Sequence, residues 1–251
     1  MSGHSKWANI KHKKEKSDAK RGKEFTKVAK EIAVAVRMGG GPDPDANSRL
    51  KLAIQKAKAI NMPNDNINRS IKKGAGELGG EAMEEFYYEG YAPGGVAVML
   101  KIATDNRNRT SADIRHLFSK YGGNMGENGC VSWMFKQVGM ITILKEKVEM
   151  DADDFMMSMI ECGADDVRED EEVYEVITAM DQFMQVVEEV EKVVPYEEAD
   201  LVMLPQNMME INDAEMAAKV LRLVDMLEDH DDVETAYTNA AIADEIMEQL
   251  D

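Results

Sequence analysis

At Phe86 the apolar pattern of this chain changes period, and the change splits what the chain can fold into. Before it, apolar residues recur every three or four positions, as on one face of a helix; after it come short aromatic and β-branched runs of strand character. Phe25, Val28, Ala29, Ile32 and Val36 share one side of a first helix, capped by Ser17 or Asp18 and running to about Met38. Three glycines and two prolines in Gly39-Gly40-Gly41-Pro42-Asp43-Pro44 must end it. Leu50, Ala53, Ile54, Ala57 and Ile60 mark a second helix with Arg49, Lys51, Lys56 and Lys58 on its remaining surface. Pro63-Asn64 opens a third, holding Ile67 and Ile71, and Gly74 closes it. Residues 1–80 read as a basic three-helix domain.

Strands at 86–91 and 96–103 flank the turn residues Ala92-Pro93-Gly94-Gly95, which predicts a hairpin. A helix over 107–121 and a strand over 130–135 follow. Next comes strand 140–144, helix 152–162, strands 166–168 and 173–179, helix 182–193 and strand 201–204, the βαββαβ order of a ferredoxin-like domain. The last elements, strand 208–211, helix 214–227 and strand 233–238, are those the middle segment lacks. The predicted class is a multidomain α+β protein: the helical domain, then an α+β domain made of 81–138 plus 206–251, interrupted by a ferredoxin-like domain at 139–205. Three domains in simple succession are the alternative.

Charge is divided as unevenly as pattern. Residues 1–80 hold 18 Lys and Arg against 8 Asp and Glu, whereas residues 140–251 hold 6 against 33, within a net charge of −18. Local field rather than net charge selects a partner, so the basic end is expected to meet phosphates. Lys20, Lys23, Lys27 and Lys30 lie opposite the apolar stripe of the first helix, next to Arg21. An arm with Lys6, Lys11, Lys13 and Lys14 precedes them, and its Trp7 either stacks on a base or anchors the core. These lysines are expected to converge on one outward surface that binds nucleic acid, either DNA or ribosomal RNA. No helix presents an evident base-reading set, which predicts weak sequence specificity. At Asp105-Asn106-Arg107-Asn108-Arg109-Thr110, a strand-to-helix junction, Arg107 and Arg109 are second-tier candidates for phosphate contact. Capping by Asn106 or Asn108 with surface arginines is the equal alternative.

Other functions find little footing. The longest apolar runs, such as 32–36 and 96–100, are far short of a bilayer span, and the Lys-rich start is neither a secretory signal nor a transit peptide; the expected compartment is the cytoplasm. Cys130 and Cys162 lack disulfide or zinc spacing, and His4 and His12 lack metal-ligand spacing. The glycine clusters match neither a P-loop nor a Rossmann fingerprint. His116 lies beside an apolar helix stripe and His230 within Glu228-Asp229-His230-Asp231-Asp232, read as a charged surface loop. No nucleophile, base and orienter assemble, so no catalytic residue, metal or cofactor is expected. A monomer is the expected state.

Several stretches together resemble the YebC/PmpR family: Gly3 to Lys14, Ala19 to Lys23, Arg37 to Gly41, Lys58 to Pro63, Tyr88 to Val98, and Thr104 to Thr110. The resemblance covers nearly the whole chain and is densest in its first 140 residues. It implies a helical N-terminal domain with two α+β domains, and a non-enzymatic, DNA-binding regulator of transcription. The family also has a mitochondrial member that activates translation of cytochrome c oxidase, which makes a ribosome-associated translation factor the alternative function.

Overall fold

The computed structural model describes residues 18–170 and 172–250, with backbone only at positions 18–21, 244 and 248. The helical domain contains α1 (Asp18–Met38), α2 (Ser48–Ala59) and α3 (Asn64–Gly74). Its core joins Val28, Ile32, Ala35 and Val36 of α1 to Leu50, Ala53, Ala57, Met62 and Ile67, the expected helix faces. Buried Asn47 ties the loop down: its carboxamide oxygen accepts from Leu50 N–H at 3.0 Å to cap α2, and its amide donates to the carbonyls of Ala35 and Gly41, each at 2.8 Å. At Gly74 a Cβ would lie 2.5 Å from the Ala33 carbonyl oxygen, so only glycine lets α3 approach α1 this closely.

β1 (Glu84–Tyr91) and β2 (Ala97–Thr104) form the predicted hairpin, with Glu84 opposite Thr104 and Tyr91 opposite Ala97. α4 (Arg107–Lys120) follows, then the short β3 (Asn124–Met125). The chain returns later as β8 (Met209–Ile211), α7 (Ala214–Glu228), β9 (Val233–Thr238), β10 (Ala240–Ile242) and α8 (Asp244–Leu250). The central sheet has the order β3-β1-β2-β9, and β8 pairs with β10 in a separate parallel ribbon. β2 is buried along its whole length because both faces of the sheet are covered. A Cβ on Gly90 would meet the Phe118 ring of α4, so Gly90 and its cross-strand partner Val98 face α4. By strand alternation Lys101 and Ala103 point the other way, and there Ala103 and Met83 pack against Ala33 and Val34 of α1.

Between them runs the segment 135–204, a compact unit of its own. It contains β4 (Phe135–Leu144), α5 (Ala152–Glu161), β5 (Asp166–Glu169), β6 (Val173–Thr178), α6 (Phe183–Val193) and β7 (Glu198–Pro205). The sheet order β5-β6-β4-β7 is that of the ferredoxin-like fold, over a core that includes Ile141, Phe155, Met159, Val176, Phe183 and Val190. The molecule is thus an α+β protein of a helical domain and two α+β domains, the third nested in the second.

One predicted strand is corrected. Residues 130–134 form a bend and a 3₁₀ turn instead of a strand, and β3 takes the place beside β1. The cause is Glu89. Its buried carboxylate accepts from the backbone N–H groups of Gly129, Val131 and Ser132 at 2.7–2.8 Å, so donors that would have joined a ladder are held by a side chain.

Candidate nucleic-acid interface

The lysine stripe of α1 does not face outward as expected. Lys23, Lys27 and Lys30 follow one another at spacings of four and three, and Val34 continues the same line, so the stripe runs directly into the residues packed on Ala103. It meets the C-terminal end of α7 and the loop after it. Lys23 Nζ lies 2.6 Å from the Asp229 carboxylate, Lys27 donates to the Glu228 carbonyl, and Lys30 donates to the Asp231 carbonyl at 2.8 Å and to the Asp232 carboxylate. A helix C-terminus concentrates unpaired carbonyls and partial negative charge, which is what a lysine row seeks. Lys6, Lys11, Lys13 and Lys14, and the side chains of Lys20 and Arg21, lie outside the described residues.

Asp232 is the centre of this contact. Besides Lys30 it accepts from Thr110 Oγ1 at 2.7 Å and from Arg109 at 3.1 Å, with Thr104 Oγ1 at 3.3 Å. Burial alone would raise its pKa, but the hydrogen bonds from Lys30, Thr110 and Arg109 outweigh that and hold the carboxyl far below the usual range. The Asp105–Thr110 junction therefore contains its own anion. Asn106 caps α4 by accepting from Arg109 N–H at 3.0 Å, Arg109 is paired to Asp232 and Asp105, and Arg107 lies 4.0 Å over the Phe86 ring. The capping alternative describes the junction. His230 is likewise engaged, its Nδ1 accepting from Asp232 N–H at 3.0 Å.

A second ionic group lies on the same sheet face. Lys101 Nζ is 3.2 Å from Glu234 and 3.7 Å from Glu85, and Glu85 also pairs with Arg49 of α2. Burial pushes the Glu234 carboxyl up, opposed by Lys101 and reinforced by Glu31 and Glu85, to about 6.

Sequence reasoning gave most weight to the α1 lysines; it placed Lys51 and Lys58 on the outer side of α2 but missed Arg37, Arg69 and Lys72 as cationic surface. Arg37, Lys51, Lys58, Arg69 and Lys72 are exposed, and no side-chain partner holds any of the five among the described residues. Lys51 and Lys58 are seven apart on α2, hence on one face; Arg69 and Lys72 sit one turn apart on α3, in a shallow groove shared with Asp65, Asn68 and Leu78. The sign was in the sequence: Arg69 and Lys72 alternate with the inward Ile67 and Ile71. Among the described residues no group of three His, Cys, Asp or Glu side chains is placed to hold a metal, and no helix is long and apolar enough to cross a membrane.

Two family descriptions match the chain: the TACO1/YebC N-terminal domain over residues 5–77, and the TACO1/YebC second and third domain over residues 83–240. The chain belongs to the TACO1/YebC family. A relative from Syntrophomonas wolfei is 64% identical over 252 residues, and one from Moorella thermoacetica is 56% identical over 257; both alignments span 100% of either chain. Both relatives are named "Probable transcriptional regulatory protein". A solved structure, the crystal structure of a conserved hypothetical protein, Aq1575, from Aquifex aeolicus, superposes with a TM-score of 0.88 at 50% identity, covering 96% of this chain and 98% of that one.

Proposed function

We propose that this protein is a non-enzymatic, cytoplasmic regulator of gene expression that binds DNA, as a monomer, through its helical domain. The observation that carries the reading is the contrast between cations within that domain. Lys23, Lys30 and Arg49 have acidic partners and Lys27 a backbone carbonyl, whereas Arg37, Lys51, Lys58, Arg69 and Lys72 are exposed with no side-chain partner among the described residues. Unpaired exposed cations on rigid helices attract phosphate through counterion release, independently of base sequence. The names of the relatives support a role in transcription, and Lys6, Lys11, Lys13, Lys14, Lys20 and Arg21 are proposed as further phosphate contacts on charge alone.

Fluorescence anisotropy with duplex DNA, titrated across about 50–200 mM salt, tests this. Changing Lys51, Lys58, Arg69 and Lys72 together to Gln is expected to weaken binding equally for unrelated sequences and to flatten the log–log salt slope by about 0.9 per lost phosphate contact. A slope left unchanged by the four substitutions would refute the assignment. Tighter binding to structured RNA than to duplex at equal salt would move the function to translation instead.

A further inference from the structure

The oxygens of residues 228–232 are met by α1 in a manner that phosphates could reproduce. Three lysines on successive turns each find oxygen acceptors along one short stretch of chain: the Asp229 carboxylate, the Glu228 carbonyl, and the Asp231 carbonyl with the Asp232 carboxylate. Such a row of negative groups at regular intervals is also what one strand of a nucleic acid offers to lysines spaced along a helix. Among the described residues the contact also includes the apolar cluster Ala33, Val34, Met83 and Ala103 and the ionic ties of Arg49 to Glu85 and, at 3.8 Å, Lys73 to Asp105.

Each side keeps some interactions of its own outside the contact. The helical core of α1, α2 and α3 is a separate cluster that uses none of Ala33, Val34, Met83 or Ala103. On the other side, Asp232 keeps Arg109, Thr110 and Thr104 when Lys30 leaves. Ion pairs edge this interdomain contact, and that ionic part weakens with salt.

We infer that the segment Glu228–Asp232 is a built-in competitor for polyanions: it occupies the Lys23–Lys27–Lys30 stripe, so docking of α1 on the central sheet and binding of a phosphate backbone to that stripe exclude each other. The inference rests on the nucleic-acid reading above and adds its regulation. Among the described residues the resting molecule offers Arg37 and the outer cations of α2 and α3; a nucleic acid that first engages them can displace the acidic segment and gain three more lysines. Because a ligand shifts such an equilibrium only by its preference for one state, the stripe must bind phosphates in the open form and not in the closed one.

The test uses the full chain and a fluorescein-labelled DNA duplex. Asp229→Asn neutralises one exposed carboxylate without touching the buried network, and Glu127→Gln, in the 126–134 loop, is the control for its change in net charge. Asp229→Asn is expected to tighten duplex binding about two- to fivefold over both wild type and the control, the range of a half-exposed ion pair. Hydrogen exchange in peptides covering 228–238 is expected to rise when duplex is added to the wild type, and Lys23→Gln with Lys27→Gln to flatten the salt slope. Equal affinity of Asp229→Asn and the control, or exchange at 228–238 that stays level or falls on adding duplex, overturns the inference. If the Lys51, Lys58, Arg69 and Lys72 variant still loses binding in that case, the nucleic-acid reading survives alone; if wild type binds no duplex at all, that reading fails first.

Discussion

Two carboxylates show how differently burial acts on single residues. Glu89 is buried but surrounded by N–H donors; burial would raise its pKa, yet the bonds from Gly129, Val131 and Ser132 lower it. Glu89→Gln keeps the shape and loses the charge of three bonds. It is expected to cost about 2–3 kcal/mol in urea unfolding and to open the 126–134 loop to protease. Glu234 is the opposite case, with a folded pKa raised to about 6 from an ordinary 4.5. A raised pKa means that the folded state holds the proton more tightly, so this contribution is fully present below about pH 4.5 and is lost as pH rises through 6. The slope of unfolding free energy between those pH values, on the order of 2 kcal/mol in all, is expected to vanish in Glu234→Gln. A slope unchanged in that variant would assign the pH dependence elsewhere. Neither role was legible in the sequence, since a glutamate in a strand reads as an outward residue until its neighbours are known.

Elements were more legible than residues. The stripes on α2 and α3, the β1–β2 hairpin and the βαββαβ order are local in period and turn chemistry, and they emerged with shifts of a few residues at their ends. The strand expected at 130–135 failed because its backbone donors go to a side chain distant in sequence. α1 was half understood. Its apolar stripe was visible, but the run Ile32-Ala33-Val34-Ala35-Val36, every member buried, was read only as a short apolar patch. A helix apolar on all sides is covered on all sides, so that run already implied a second neighbour and an inward destination for the lysines in line with it. At this scale Asn47→Ala is expected to lower stability by about 2–3 kcal/mol, because it removes the cap of α2 and leaves the Ala35 carbonyl without its amide donor. Gly74→Ala, which sets a methyl against the Ala33 backbone, should likewise lower the thermal midpoint, although alanine is ordinarily the better helix former. A higher midpoint would show that α3 can shift to accommodate it.

For the whole molecule, the split of charge in sequence became a contact in space: part of the basic end is neutralised by part of the acidic half, while Arg37, Lys51, Lys58, Arg69 and Lys72 stay exposed. That pairing was beyond sequence reasoning because it joins residues about two hundred positions apart. Stability of the docked arrangement is therefore expected to respond to ionic strength. Exchange of amides along the C-terminal half of α1 should quicken between about 0.1 and 1 M NaCl, while amides of β4 and β6 in the ferredoxin-like domain hold steady. The double burial at residues 32–36 also sets which substitutions the first helix can accept. A side chain added there has no free side to turn to, so drift at those five sites is confined to small apolar exchanges. One turn earlier, where only nitrogen-to-oxygen contacts matter, arginine can replace lysine and the helix would still find its seat.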